Sequence, residues 1–319
     1  MKGLMIVFRK ELGDHFSSFR FVIMFALIAM VSIVLVYMAA MGLREALEGS
    51  RRPSFVFLML FTTSGGFFSM TQFVGFFGPL IGLLLGFDAI NRERATGTLS
   101  KLVSQPIYRD TVINGKFLAS VVTIAIMFTA IMLIVSGLGL VVLGIVPGVE
   151  EILRMAVYLF LSIMYVSFWL ALAILCSVIF RSVATSALAA LAAWIFFSFF
   201  VSLGADVMAN AVAPVDKTSA TPDALVRHMK VRNMIELSSP ISLYSNATSA
   251  IIDPTRQTTK SLVMMGRLEK LSMERFRGPL PLGQSLLVVF PYLTILVALT
   301  LASFGVTYWT FMLQEIRAM

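Results

Sequence analysis

Apolar residues along this chain gather into long uninterrupted runs. Stretches free of Asp, Glu, Lys and Arg cover 21–43, 53–87, 117–149, 155–180, 182–205 and 278–314. A helix of about 20 apolar residues crosses the hydrocarbon core of a bilayer, so the pattern predicts six spans. The second run falls short of the roughly 40 residues plus a turn that two crossings need. Residues 67–87 are therefore expected to span, with Phe55 to Thr63 as an interfacial lead-in. Gly137, Gly139 and Gly144 predict a bent or irregular outer end for the third span. Pro279 and Pro281 introduce the sixth, and Pro291 is expected to kink it.

The fold class that follows is an all-α polytopic membrane protein. It comprises an amphipathic helix over 1–20, spans one to five within 21–205, a cytoplasmic connection at 88–116, a helical outer loop over 206–284, a sixth span at 285–311 and a tail at 312–319. Composition agrees: 58% of residues are apolar and 13% charged, where soluble domains carry roughly 25% charge. A water-soluble globule is excluded.

The placement of basic residues orients the spans. Lys2, Arg9, Lys10 and Arg20 precede the first, and Arg92, Arg94, Lys101, Arg109 and Lys116 connect the second to the third. Arg181 and Arg317 fall on that same side, while only Arg44, Arg51, Arg52 and Arg154 occupy short loops on the other. Both termini are expected in the cytoplasm of a multi-pass plasma-membrane protein. The net charge of +8 then reflects topology and calls for no nucleic-acid partner. The first apolar run is too long for a cleavable signal and reads as a retained anchor. Cys176 is the sole cysteine, so no intrachain disulfide can staple the outer loop.

Outside the spans, Leu4, Phe8, Leu12, Phe16 and Phe19 recur at helical spacing, as in a helix lying along the inner leaflet. The connection DAINRERATGTLSKLVSQPIYRDTVINGK, residues 88–116, is the densest short-loop charge cluster. Thr96 or Thr98 can cap a short helix bearing Leu99, Leu102 and Val103, which Gln105-Pro106 ends. Such a helix beneath a membrane suits the docking of a cytosolic partner; as a plain solvated loop, it would only fix topology. In the outer loop, Thr221-Pro222-Asp223 and Ser239-Pro240 each signal a helix start. The helices they introduce carry Leu225, Met229, Met234 and Ile235, then Leu243, Tyr244, Ala247 and Ile251, and a third is expected over 258–273. Three short helices would cap the outside of the spans.

Candidate chemistry is sparse. No G-x-x-x-x-G-K-[ST] loop occurs, so ATP is not held that way. The two histidines, His15 and His228, fall on opposite membrane sides, so no zinc site is predicted. His228 and the loop methionines could hold Cu(I), but methionine reads more simply as packing filler. Span interiors carry neutral polar groups only, among them Ser162, Tyr165, Ser198 and Thr300. That argues against proton relays and intramembrane catalysis, and it suits an apolar or amphipathic cargo driven from elsewhere. Gly78, Gly82 and Gly86 mark one face of the second span for close helix approach, to a helix of the same chain or to a second subunit.

These residues together resemble the permease subunits of ATP-binding-cassette transporters of the type 2 export family. FRKELGDHFSSFRF looks like that family's elbow helix, and Glu93, Gly97, Thr98, Leu99, Leu102 and Pro106, followed by Gly115-Lys116, resemble its E-x-x-x-G-T-L-x-x-L-x-x-x-P pattern. SSPISLYSNAT is similar to an outer-loop segment of one branch. The resemblance implies a half-transporter that pairs with a second permease copy and works with a separate cytosolic ATPase, which binds ATP and Mg; this chain would hold no cofactor or metal. Residues 97–104 would form the coupling helix, with Arg92, Glu93, Arg94, Gly97, Thr98, Leu99, Lys101, Leu102 and Pro106 as its ATPase-coupling residues. Membrane lipid is the remaining partner. Export of a hydrophobic or amphipathic compound is the leading expectation. The alternative is a membrane assembly or maturation scaffold, serving a metallo-enzyme, whose outer loop binds a protein.

Overall fold

The computed structural model describes residues 2–47, 55–64, 68–98, 108–214, 222–254 and 280–314, and among these it is helical with no strand. Helix α1 (Lys2–Phe16) leads into α2 (Phe19–Leu47), and a short α3 (Val56–Thr62) precedes α4 (Met70–Gly86). A five-residue α5 (Asn91–Ala95) is followed by the long α6 (Arg109–Leu143) and α7 (Val149–Ile179). The fifth long element is α8 (Val183–Ile195), a π-helical stretch Phe196–Phe200 and α9 (Val201–Val212). Then come α10 (Pro222–Glu236), α11 (Pro240–Ile252) and α12 (Leu282–Leu313). Six helical elements are long and apolar enough to cross a membrane.

Local chemistry sets their ends. Ser69 accepts from the Gln72 amide while Gln72 Oε1 accepts from the Ser69 amide, a reciprocal cap that starts α4. Gly144 takes a left-handed φ of 65° and ends α6. The expected irregularity of that span is confined to this last residue, since Gly137 and Gly139 stay helical. Gly139 instead lets α3 approach: a Cβ there would lie 2.6 Å from Leu60 Cδ1. The π-helical stretch Phe196–Phe200 has no signal in the sequence.

α7 is the central post. It packs against α4, α12, α6 and α11, and with α4 it is 61% buried, against 17% for the fifth span and 22% for α12. The glycine stripe explains the closeness of α4 to α7. A Cβ at Gly82 would sit 2.6 Å from Val166 O, and one at Gly86 would sit 2.7 Å from Ala173 Cβ, while Gly78 faces the Val166 methyl at 3.2 Å. The helix this stripe meets belongs to the same chain.

Two segments are drawn in more deeply than their sequences suggest. Phe57, Leu58, Leu60 and Phe61 of α3 are each at most 1% exposed, so the expected interfacial lead-in is core. α11 is likewise no external cap. It wedges between α7, α12, α4 and α3, stacking Tyr244 on Tyr165 at 4.5 Å and sharing a 3.0 Å hydrogen bond between Tyr244 and Ser162. Ser162 and Tyr165, two of the neutral polar groups of the fourth span, therefore hold this chain together. The expected helix over 258–273 lies outside the described residues.

Candidate functional site

The described residues contain two polar centres at opposite ends of the bundle. The first lies where α1, α5, the start of α6 and the end of α12 meet, at what is termed here the amino-terminal face. α5 organises it, because its residues reach different neighbours. Asn91 is fully buried, and its amide N–H together with that of Ile90 donates to Ser177 Oγ of α7 at 3.1 and 2.9 Å. Arg92 stays exposed, 3.7 Å from Asp88, which in turn pairs with Arg20 at 2.9 Å. Glu93 faces α1 and α6, and Arg94 faces α12.

Glu93 is the first residue of the sequence pattern that marked this connection. Its Oε1 lies 2.8 Å from Lys116 Nζ, and Lys116 reaches Glu11 Oε1 at 3.0 Å. One ammonium, only 4% exposed, thus joins three elements: α1, α5 and α6. Lys10 adds contacts of 2.9 Å to Glu11, 3.2 Å to Asp14 and 3.6 Å to Glu93. Gly115 makes the geometry possible, because a Cβ there would lie 2.7 Å from Val7 Cγ1, so that α1 rests directly on α6. Burial alone pushes the Glu11 carboxyl upward, yet Lys116 and Lys10 outweigh it and hold the group below the ordinary carboxylate value. Burial likewise opposes the Lys10 charge, and the Glu11 and Asp14 carboxylates reverse the effect and raise it. His15 extends the cluster with a 3.1 Å contact to Ser120 Oγ, and burial lowers its pKa.

Arg94 Nη2 donates to Gln314 Oε1 at 2.6 Å, and Arg109 Nη1 donates to Gln314 O at 3.1 Å. Beyond Ala95, Thr96, Gly97 and Thr98 are exposed. Gly97 has a left-handed φ of 69° and closes α5. Thr98 Oγ1 donates back to Glu93 O at 3.2 Å. Leu99, Lys101, Leu102 and Pro106 lie outside the described residues. The pattern therefore places Glu93, Arg94, Gly97 and Thr98 on one short helix and the turn that closes it. Glu11, Asn91, Lys116, Ser177 and Gln314 were absent from the expected set; a lysine immediately before an apolar run and a lone glutamate on the amphipathic first helix were the available signals for the third and first.

The second centre, on the opposite face, is built on Arg154. It is wholly buried, although its sequence position suggested a solvated loop. All five guanidinium N–H groups are engaged: with Glu150 Oε1 at 2.8 and 3.1 Å, Ile251 O at 2.9 Å, Ser285 Oγ at 3.1 Å and Leu280 O. The ring of Phe55, at left-handed φ 64°, lies 5.5 Å beneath it. Nearby, Glu151 accepts from the Gly148 and Phe57 amides at 2.8 and 3.0 Å, fastening α3 to α7. No group of three or more metal-binding side chains occurs among the described residues.

Six apolar helical elements, a glycine-zipped central pair and an ionic junction joining α1, α5 and α6 define a polytopic membrane protein. The chain belongs to the ABC-2 family transporter proteins, whose family model matches residues 5–316. Its family is therefore that of ABC transporter permeases, membrane subunits of transporters that work with a partner ATPase. Over 90 residues it is 34% identical to a protein of Pseudomonas aeruginosa described as a probable ABC transporter permease protein, NosY. That match spans 28% of this chain and 32% of the relative, well under half of either.

Proposed function

We propose that this chain is the permease half of an ABC exporter, driven by ATP hydrolysis on a separate cytosolic subunit that holds the nucleotide and Mg. The amino-terminal face is then cytoplasmic, α1 is an elbow helix, and residues 97–104 dock in the ATPase. Pairing with a second permease copy completes a twelve-span assembly in the plasma membrane. The observation that carries this reading is the Glu93–Lys116–Glu11 junction, which ties α5, the helix just before residues 97–104, to both α1 and α6. Movement of the segment is thereby delivered to two membrane-associated elements at once. The described spans carry charge only near their ends, which supports a hydrophobic or amphipathic cargo powered from outside the bundle.

The test uses the permease purified together with its ATPase. Glu93→Ala and Gly97→Pro should each lower permease-dependent ATP hydrolysis about fivefold or more. Removal of 97–104 should abolish it together with ATPase binding. Undiminished hydrolysis after that removal would sink the proposal.

A further inference from the structure

Gln314, the last described residue of the chain, meets Arg94 and Arg109, the two feet that flank the 95–108 segment. Arg94 precedes that segment and bonds the Gln314 side chain; Arg109 follows it and bonds the Gln314 main-chain carbonyl. The amide uses its other end as well, since Gln314 Nε2 donates to Val178 O of α7 at 2.7 Å. Two residues fifteen positions apart are thus brought to one point, at the end of a helix to which neither belongs.

We propose that Gln314 is a positioning residue that seats both feet of the 95–108 segment on the end of α12. Displacement of the segment then reaches the sixth span directly, in addition to its covalent continuation into α6. The proposal rests on the reading of that segment as the ATPase-docking element. Two features of α12 support it. The helix packs extensively on the central post α7, where Thr307 Oγ1 donates to Ala171 O at 3.2 Å, and on α11, so a shift at its end is passed into the bundle. Its other end is held by Arg154, through Ser285 Oγ and the Leu280 carbonyl just before the helix. Because Arg154 also bonds Ile251 O, a shift of α12 is felt by α11 on the opposite face.

The residue type matters. Glutamine offers an acceptor to Arg94 and a donor to Val178 O from one planar group. Glutamate keeps the acceptor and adds charge attraction to Arg94; alanine removes both. Arg109, held by the main chain, should not notice either change. This asymmetry separates a positioning role from general loosening.

The full chain in lipid nanodiscs, with Cys176→Ser, would carry spin-label pairs at Ala95 and Val306 or at Tyr108 and Val306. All three label positions are exposed. Gln314→Ala should broaden the first distance distribution and leave the second unchanged, and Gln314→Glu should restore the first. Unchanged distributions in Gln314→Ala, or equal broadening of both pairs, would overturn the proposal. In the complex with ATPase, Gln314→Ala should lower permease-dependent hydrolysis about threefold or more, with Gln314→Glu recovering it. Unaltered hydrolysis alongside a broadened first pair also overturns the positioning role. The distances need neither nucleotide nor ATPase. Failure of the docking reading, seen as intact ATPase binding after removal of 97–104, is thus told apart from failure of the clasp.

Discussion

The Lys116 junction and the Arg154 knot each surround one buried cation, yet they are built for different behaviour. Arg154 is planar and has all five donors occupied, three of them by oxygens of α11, α12 and the residue leading into α12. Its one charged partner among the described residues, Glu150, has a side chain that is 39% exposed. Lys116 is a point charge on a flexible stem, held by two carboxylates on different helices with 11% and 13% of their side chains exposed. Carbonyl acceptors set in fixed main chain make a static joint. Ion pairs between side chains of separate helices can be exchanged without moving main chain. The opposite face is thereby closed by a saturated arginine, and the amino-terminal face is joined by contacts suited to rearrangement.

The contrast predicts that losing the arginine costs more. Arg154→Leu strips donors from two main-chain carbonyls and Ser285 in a wholly buried site. It should lower stability by about 3 to 5 kcal/mol, read from thermal unfolding of detergent-solubilised protein. Lys116→Met should cost less, about 1.5 to 3 kcal/mol, because Lys10 still reaches both Glu11 and Glu93. Its loss should also depend on pH. Without Lys116 the Glu11 carboxyl loses the largest influence that holds its pKa low against burial, so the destabilisation is larger at neutral pH than in acid, below the carboxylate range. Glu11→Gln on top of Lys116→Met should return part of the loss. A Lys116→Met protein as destabilised as Arg154→Leu, with no pH dependence, would erase the distinction between the two centres.

The spans were legible in the sequence because membrane crossing is a one-dimensional demand: enough apolar residues in a row. Gly82 and Gly86 were legible as a close-approach face because their spacing of four puts both on one side of a helix, and that face meets α7 of the same chain. What escaped were matters of partner and depth. Arg154 sits in sequence like any loop arginine, and nothing local says that Ile251 and Leu280, roughly a hundred residues on, will deliver carbonyls to it. Phe57 to Phe61 read as interfacial because burial against α4, α7 and α11 is a tertiary outcome. Glu93 was legible from its pattern, whereas Glu11 and Gln314 came into the site only through the return of α1 and α12 to the same face.

His15 offers the finest test of the amino-terminal junction. It sits on α1 among Glu11, Asp14, Lys116 and the more distant Asp88, and contacts Ser120 of α6. Burial holds its pKa below the ordinary value, with Lys116 acting in the same sense and the three carboxylates opposing it. The folded state therefore keeps the ring neutral at a pH where the unfolded chain protonates it, near 6.5. Stability from this residue is fully present above that pH and is lost as pH falls through it toward the lower folded-state value. A melting temperature measured at about pH 7.5 and again at about pH 5.5 should fall slightly in the parent protein and stay level in His15→Gln, since glutamine keeps a polar contact to Ser120 but does not titrate. Both values lie above the ordinary carboxylate range, so Glu11 does not contribute to the slope. A fall of equal size in His15→Gln would show that the seat of α1 on α6 is indifferent to this ring, leaving the lysine and its two carboxylates to hold the junction.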